Sequence, residues 1–91
     1  MEFEYDSAKS ESNKSKHGID FEAAKMLWQD GDAIEVPSDY FGEERYLVIG
    51  EIGHICWTAI ITHREQMIRI ISVRRSRTKE AQAYDYRKGI G

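Results

Sequence analysis

The stretch Ile55–Arg75 has the sequence ICWTAIITHREQMIRIISVRR and carries the strongest structural signal in the chain. Two apolar runs, Ile55–His63 and Met67–Arg74, are rich in β-branched residues, and only the polar residues 64–66 separate them. Such runs joined by a short polar loop predict a hairpin of antiparallel strands. Arg74 is therefore expected beside the start of the preceding strand, and Arg69 nearer the hairpin loop.

Side chains alternate between the two faces of a strand. In the last strand this alternation predicts that Arg69 shares a face with Ile71 and Val73, whereas Arg74 points to the opposite face. Both faces of the hairpin carry apolar residues. We therefore expect other elements to cover both faces at least in part.

Two further strands and a helix flank the hairpin. Ala33–Pro37 is a short strand whose proline favours the edge of a sheet. Arg45–Ile52 is a longer strand in which Gly50 indicates a bulge or a close contact. The segment Ser38–Glu44 between them is acidic and rich in turn residues. Downstream of the hairpin, Thr78–Lys88 is predicted to be a helix with a narrow apolar side.

The N-terminal part begins with an alternating strand, Glu2–Tyr5, and continues with two helices. Asp6 is suited to cap the first helix and Gly18 to end it. Asp20 is suited to cap the second. The second helix has one apolar stripe, formed by Phe21, Ala24, Leu27 and Trp28.

These elements predict one domain over residues 1–91 with an α+β fold in the order β-α-α-β-β-β-β-α. A small antiparallel sheet would pack against the N-terminal helices, chiefly the striped one, and the C-terminal helix would lie nearby. Gly89, Ile90 and Gly91 are expected to fray.

Composition and charge narrow the functional classes. The 91-residue chain has a net charge of −3, yet residues 1–63 hold 5 Lys and Arg against 13 Asp and Glu, and residues 64–91 hold 8 against 3. A cationic C-terminal third suits a phosphate-rich ligand or an acidic partner, although a solvated helix face would have the same composition. No apolar run is long enough to span a bilayer, the N-terminus is acidic, and the single cysteine favours the reducing cytoplasm.

Several kinds of chemistry lack their motifs. The three histidines are scattered and Cys56 is the one cysteine, so neither a metal site nor a cofactor is predicted. The chain has no GxSxG turn and no glycine-rich phosphate loop. Phosphate chemistry by Arg, Lys, His and Tyr remains, and RNA cleavage needs no cofactor because the 2′-hydroxyl serves as the nucleophile.

Spaced residues form motifs over most of the chain. The first half contains Asp6-x-x-Lys9-x-x-x-Asn13-x-x-Lys16-His17-Gly18-Ile19-x-Phe21-x-x-Ala24. The second half contains Arg45-x-x-x-Ile49-Gly50, the strand Ala59–Thr62, Ile68-Arg69-Ile70-Ile71-Ser72-x-Arg74-Arg75 and Glu80-x-x-x-Tyr84. Together these motifs resemble those of the BrnT toxins of type II toxin–antitoxin systems.

The resemblance implies a RelE-like fold, a ribonuclease that restrains translation, and a cognate ribbon-helix-helix antitoxin. In such systems the antitoxin binds operator DNA, so the toxin reaches DNA indirectly. The chain departs from the family where Ala81 follows Glu80, a place that commonly holds Arg. Arg77 and Lys79 are the nearby cations that could replace that Arg.

Residue chemistry and the resemblance together identify the candidate site residues. The candidate catalytic residues are Arg74, Arg69, His17, His63 and Tyr84. The candidate RNA-binding residues are Lys16, Arg64, Arg75, Arg77 and Lys79.

Each candidate also has a structural interpretation. His17 could serve only the end of the first helix, and Arg69 could pair with an acidic residue such as Glu11. Arg74 could support the sheet edge, and Tyr84 could simply pack. The functional alternative to a ribonuclease is a non-catalytic module that binds an antitoxin or nucleic acid.

Overall fold

A computed structural model describes residues 2–38 and 44–89. Its elements follow the predicted order. They are β1 (Glu2–Glu4), α1 (Ser7–His17), α2 (Phe21–Ala24), a 3-10 helix (Lys25–Gln29), β2 (Ile34–Ser38), β3 (Arg45–Ile52), β4 (Ile55–Arg64), β5 (Met67–Arg75) and α3 (Thr78–Lys88). The predicted turn-rich segment Ser38–Glu44 lies mostly outside the described residues, as do Ile90 and Gly91.

The helix boundaries follow local chemistry. Asp6 caps α1 by accepting a hydrogen bond from the backbone N–H of Lys9, and Gly18 ends it in the left-handed conformation at φ 80°. Asp20 caps α2 through the backbone N–H of Ala23. These predictions are confirmed. At α3 the capping residue is Arg77, whose backbone N–H donates to Glu80, whereas Thr78 is already helical.

The second predicted helix is a single α-turn followed by a 3-10 helix. Phe21 and Ala24 of the α-turn and Leu27 of the 3-10 helix are all buried. Trp28 is half-buried and packs edge-on against Phe3, with ring centroids 4.9 Å apart. The predicted apolar stripe therefore faces the sheet, in a tighter helix than its sequence suggests.

The sheet has five strands in the order β1-β5-β4-β3-β2. β2 to β5 form an antiparallel meander, and β2 lies at the edge, as Pro37 predicts. β1 pairs with β5 in parallel, so the sheet is mixed, whereas the sequence predicts an antiparallel sheet. Hydrophobic alternation identifies a strand but not its partner, which is why the sequence did not reveal this pairing.

A β-bulge interrupts the pairing of β4 with β5. Ile60 pairs with Ser72 and Ile61 pairs with Ile70, which leaves Ile71 as an extra residue on β5. Beyond Ile71, every residue of β5 faces the side opposite to the one that simple alternation predicts.

The core lies between the sheet and the α2 and 3-10 segments. Gly50 of β3 sits where this segment approaches most closely: a Cβ atom there would lie 3.1 Å from the Cβ of Ala33 and 3.3 Å from Leu27 Cδ2. The close contact predicted at Gly50 is thus confirmed. Buried core residues are Ile19, Phe21, Ala24, Leu27, Val48, Ala59, Ile61, Ile68, Ile70 and Val73.

The opposite face of the sheet is covered only in part. α3 packs over one end of it, where Ile49, Thr58 and Tyr84 are buried. The remainder of this face carries the polar side chains described next. No helix among the described residues is long and apolar enough to cross a membrane.

Candidate active site

The bulge at Ile71 changes which β5 side chains lie together. Val73 turns toward the core beside Ala59, and Arg74 shares the opposite face with Arg69. The prediction that Arg69 and Arg74 occupy opposite faces is therefore wrong, because alternation assumes an uninterrupted ladder. Arg69 pairs with Thr62 near the hairpin and Arg74 with Thr58 near the start of β4, as their positions along the strand predict.

A hollow lies on the sheet face that α3 leaves open, and we call it the sheet hollow. Arg69 on β5 is one-third exposed, and its Nη1 lies 2.7 Å from Glu4 Oε2 on β1. Arg64 Nη1 lies 3.7 Å from the same oxygen. Arg69 thus pairs with Glu4 and not with Glu11. The hollow is lined by Lys9, Arg45, Thr62, Arg64, Arg69 and Ile71.

A second hollow lies between α1 and β5, and we call it the helix hollow. Asn13 fixes this arrangement, because its Nδ2 donates to the carbonyls of Ile19 and Val73, each at 2.8 Å, and its Oδ1 accepts from the backbone N–H of Val73 at 3.3 Å. Asn13 thus ties the polar helix to the sheet. The hollow is lined by Lys9, Ser12, Asn13, Lys16, His17, Ile71 and Ser72.

The two hollows share Lys9 and Ile71, and together we call them the basic concavity. Five cationic side chains line it, and its lining among the described residues includes no carboxylate; Glu4 pairs with Arg69 nearby. Such a surface attracts anions and concentrates them at the sheet. Of the candidate site residues, the concavity brings together Lys16, His17, Arg64 and Arg69.

Arg74 is engaged internally. Its Nη1 and Nη2 donate to Glu80 Oε1 and Oε2 at 2.8 and 2.9 Å, in a two-pronged pair with 19% and 13% of the side chains exposed. Burial alone would raise the pKa of Glu80, but the hydrogen bonds from Arg74, the Arg77 backbone and Thr58 lower that pKa to about 2. The pair ties the start of α3 to the end of β5.

Tyr84 belongs to α3, and its side chain is buried. Only 1% of the residue is exposed, and its hydroxyl donates to Asp30 Oδ2 at 2.5 Å. Burial and the neighbouring Asp30 carboxylate raise the pKa of Tyr84. The same Asp30 oxygen accepts from the backbone N–H of Glu51. Tyr84 therefore joins α3 to the loop before β2.

The remaining candidates lie outside the basic concavity. His63 faces the opposite side of the sheet, where its Nε2 lies 2.9 Å from Glu35 Oε2 on β2. Arg75 lies over the Trp57 ring, 5.7 Å from its centroid. Arg77 and Lys79 are exposed at the start of α3.

In the described parts of the chain, no group of three or more His, Cys, Asp or Glu side chains could hold a metal ion. Cys56 is half-buried, and burial raises the pKa of its thiol. A raised pKa leaves less of the reactive thiolate at neutral pH.

Four residues of the candidate site are not among those predicted from the sequence. Lys9 and Arg45 line the concavity, Glu4 pairs with Arg69, and Glu80 holds Arg74. Lys9 and Arg45 do belong to the quoted motifs, which was the available signal. The partners of the two arginines come from strand pairing and helix packing, which no local pattern specifies.

An α+β fold with an open, cationic sheet face defines a small protein suited to binding phosphate-bearing ligands. A family model described as the ribonuclease toxin BrnT of type II toxin–antitoxin systems matches residues 5–80. The chain therefore belongs to the BrnT toxin family, which has an RNA substrate and an antitoxin partner. A comparison with curated proteins found no match.

Proposed function

We propose that this protein is an endoribonuclease that binds RNA in the basic concavity and cleaves it through the 2′-hydroxyl of the substrate. The observation that carries the proposal is the joint lining of one open face by Lys9, Lys16, Arg45, Arg64 and Arg69, in a chain of the BrnT family. Cleavage of this type requires that the phosphate be held in line, that its growing negative charge be neutralised, and that two protons move.

Arg69 is the proposed contact to the scissile phosphate. It lies in the sheet hollow, and its planar guanidinium can grip two phosphate oxygens. Glu4 holds that guanidinium in place through one nitrogen, Nη1. Arg64 extends the positive surface beside it.

His17 is the proposed proton-transfer group. It lines the concavity, whereas His63 faces the other side of the sheet and contacts Glu35. An imidazole can donate or accept a proton near neutral pH. We therefore assign the role to His17 in preference to His63.

Arg74 and Tyr84 are proposed to act as positioning residues. Both terminal nitrogens of Arg74 bond to Glu80, and the Tyr84 hydroxyl bonds to Asp30. These contacts hold α3 on the sheet. Arg75, Arg77 and Lys79 would contact only RNA that extends past Arg74.

The proposed reaction needs no metal, since the nucleophile is part of the substrate. The purified protein should therefore cleave a defined RNA equally well in EDTA. The products should be a 2′,3′-cyclic phosphate and a 5′-hydroxyl, and a single 2′-deoxy substitution at the cleaved position should block the reaction. Strict dependence on a divalent ion, or cleavage of the 2′-deoxy substrate, would rule out this mechanism.

The assignment of His17 can be tested against a matched histidine. His17→Ala should slow cleavage by about 10²-fold or more, whereas His63→Ala should leave it near the wild-type rate. Both histidines are exposed, so both variants should fold. The reverse order of effects would assign proton transfer to His63.

The cellular role follows as part of the same proposal. We propose that RNA cleavage takes place in the cytoplasm and inhibits translation, that a ribbon-helix-helix antitoxin neutralises the protein, and that the complex reaches operator DNA through the antitoxin. Family membership supports the pairing with an antitoxin. Inducible expression with and without the neighbouring gene, followed by RNA analysis, tests this role.

A non-catalytic binding module is the alternative function. The same cationic lining would bind RNA or an acidic protein segment without cleaving it. Purified protein that binds RNA tightly but leaves it intact at all RNA and protein concentrations would favour this alternative.

A further inference from the structure

The face of α1 that lines the helix hollow has a regular pattern. Lys9, Ser12 and Lys16 recur at i, i+3 and i+7, which places them in one row along the helix. Across the hollow, Ser72 of β5 adds a hydroxyl group. Among the described residues, neither lysine side chain forms an ion pair.

The α1 helix that carries this row is anchored to the rest of the protein, although it is polar almost all round. Asn13 is 6% exposed and bonds to β5 and to the loop after α1. Ser10 is also buried, and its hydroxyl accepts from the backbone N–H of Phe21. The helix backbone that carries Lys9 and Lys16 is therefore fixed against β5, so only their side chains have to become ordered when an anion binds.

The two hollows form a path across the strands. The sheet hollow reaches from Arg45 on β3 to Arg69 on β5, a distance of roughly 10 Å at the usual strand spacing. The helix hollow continues beyond β5 to α1. The junction lies at Lys9 and at Ile71, the residue that the bulge adds.

We propose that Lys9, Ser12 and Lys16 of the helix hollow form a second phosphate subsite, which binds RNA on one flank of the phosphate held by Arg69, and that His17 of the same hollow acts on the nucleotide that links the two phosphates. This inference rests on the proposed function and adds to it a direction for the RNA, across β3, β4 and β5 toward α1. Lys16 and Lys9 would supply positive charge, and the Ser12 hydroxyl would donate a hydrogen bond to a phosphate oxygen. The Ser72 hydroxyl borders the subsite and lies 3.5 Å from Asn13 Oδ1. The apolar Ile71 would lie between the two phosphates.

The subsite predicts that the effect of Lys16 depends on RNA length. A trinucleotide can occupy the sheet hollow alone, whereas a hexanucleotide can cover both hollows. Lys16→Ala should therefore weaken binding of the hexanucleotide by about 3- to 10-fold and leave the trinucleotide unaffected. Arg69→Ala should weaken both.

The experiment is a titration of the full chain with fully 2′-O-methylated oligonucleotides, which cannot be cleaved at the 2′ position. Affinity is measured at several salt concentrations, because each phosphate contact with a single strand contributes about 0.7 to the slope of the logarithm of the binding constant against the logarithm of the salt concentration. Lys16→Ala should lower that dependence for the hexanucleotide alone. Lys14→Ala is the matched control, since Lys14 is exposed on α1 and lies outside both hollows. Circular dichroism checks that every variant is folded.

The outcomes separate the two proposals. Wild-type affinity and salt dependence in Lys16→Ala, or equal effects of Lys14→Ala and Lys16→Ala, would overturn the second subsite. If Lys16→Ala lost the same affinity for the trinucleotide and the hexanucleotide, the concavity would be a single undivided site, and the second subsite would also be overturned. Cleavage by Arg69 and His17 could persist in each of these cases. Conversely, length-dependent binding by a protein that never cleaves RNA would support the subsite and refute the ribonuclease.

Discussion

At the scale of single residues, the partner of each arginine decides what it can do. Arg69 and Arg74 come from the same motif and point to the same side of the sheet. Glu4 takes one nitrogen of Arg69, while Glu80 takes both terminal nitrogens of Arg74. A guanidinium with an open edge can grip phosphate, whereas one that is fully engaged by a carboxylate is better suited to hold structure.

Arg69 is expected to matter for catalysis more than for stability. Arg69→Ala should slow cleavage of a defined RNA by about 10²–10³-fold. Arg69→Lys should not restore the full rate, because an ammonium group lacks the planar fork. Single-turnover cleavage rates, measured after denaturant titration has shown a folded protein, test this. A folded Arg69→Ala variant that cleaves at the wild-type rate would contradict the assignment.

Glu80 is expected to make stability depend on pH in the acidic range. Its pKa is about 2 in the folded protein and close to 4.5 when unperturbed. The group therefore stabilises the fold fully above about pH 4.5, and this contribution is lost as the pH falls toward 2. Glu80→Gln should lower the free energy of unfolding by about 1.5–3 kcal/mol at neutral pH and by much less near pH 2.

Urea titrations at the two pH values measure this difference. Glu11→Gln is the matched control, because Glu11 is exposed on α1. A cost of Glu80→Gln that stays the same at both pH values would show that the ion pair with Arg74 does not stabilise the protein.

At the scale of elements, close approach and bulges determine where the site lies. β3 can approach the 3-10 helix because Gly50 has no side chain, and the bulge in β5 brings Arg69 and Arg74 to one face. α1 adds a polar wall beside β5 through Asn13. The concavity thus depends on three features of backbone packing as much as on its cations.

Gly50→Ala is expected to destabilise the fold. Its new methyl group would lie 3.1 Å from Ala33 Cβ, 3.2 Å from Asp30 Oδ2 and 3.3 Å from Leu27 Cδ2. The structural shifts that relieve this crowding should lower the free energy of unfolding by about 1–3 kcal/mol. Gly31→Ala is the control, because its Cβ would meet no atom within 4 Å. Thermal unfolding should show a clear loss for Gly50→Ala and little change for Gly31→Ala, and equal effects would contradict the role of close packing.

The same features separate what the sequence predicts from what it cannot. Caps such as Asp6 and Asp20, and the alternation in Ile55–His63, act locally, and the elements they predict are found. The bulge at Ile71 depends on how β4 and β5 align over their whole length. The pairing of Arg74 with Glu80 depends on where α3 lands on the sheet. Long-range alignment therefore accounts for the errors.

At the scale of the whole molecule, the two faces of the sheet have different roles. One face packs against α2 and the 3-10 helix and contains most of the core. The other face carries the basic concavity and the partial cover of α3. A net charge of −3 hides the basic concavity, whose lining among the described residues carries five cationic side chains and no carboxylate. Substitutions on the two faces should therefore have separable effects.

Leu27 tests that separation from the core side. It is fully buried in the 3-10 helix, and Leu27→Ala should lower the free energy of unfolding by about 2–5 kcal/mol through lost contacts and a cavity. At a temperature where the variant remains folded, its cleavage rate should stay within about 2-fold of wild type, because no catalytic group moves. Arg69→Ala should show the opposite pattern.

Denaturant titration and single-turnover cleavage on the same preparations make the comparison. Leu27→Val, a smaller truncation, keeps the test valid if the alanine variant does not fold. A parallel loss of cleavage and stability in folded Leu27 variants would mean that core packing is coupled through the sheet to the concavity. In that case the two faces would not act independently, and the rigid support of Arg69 would have to include the core beneath it.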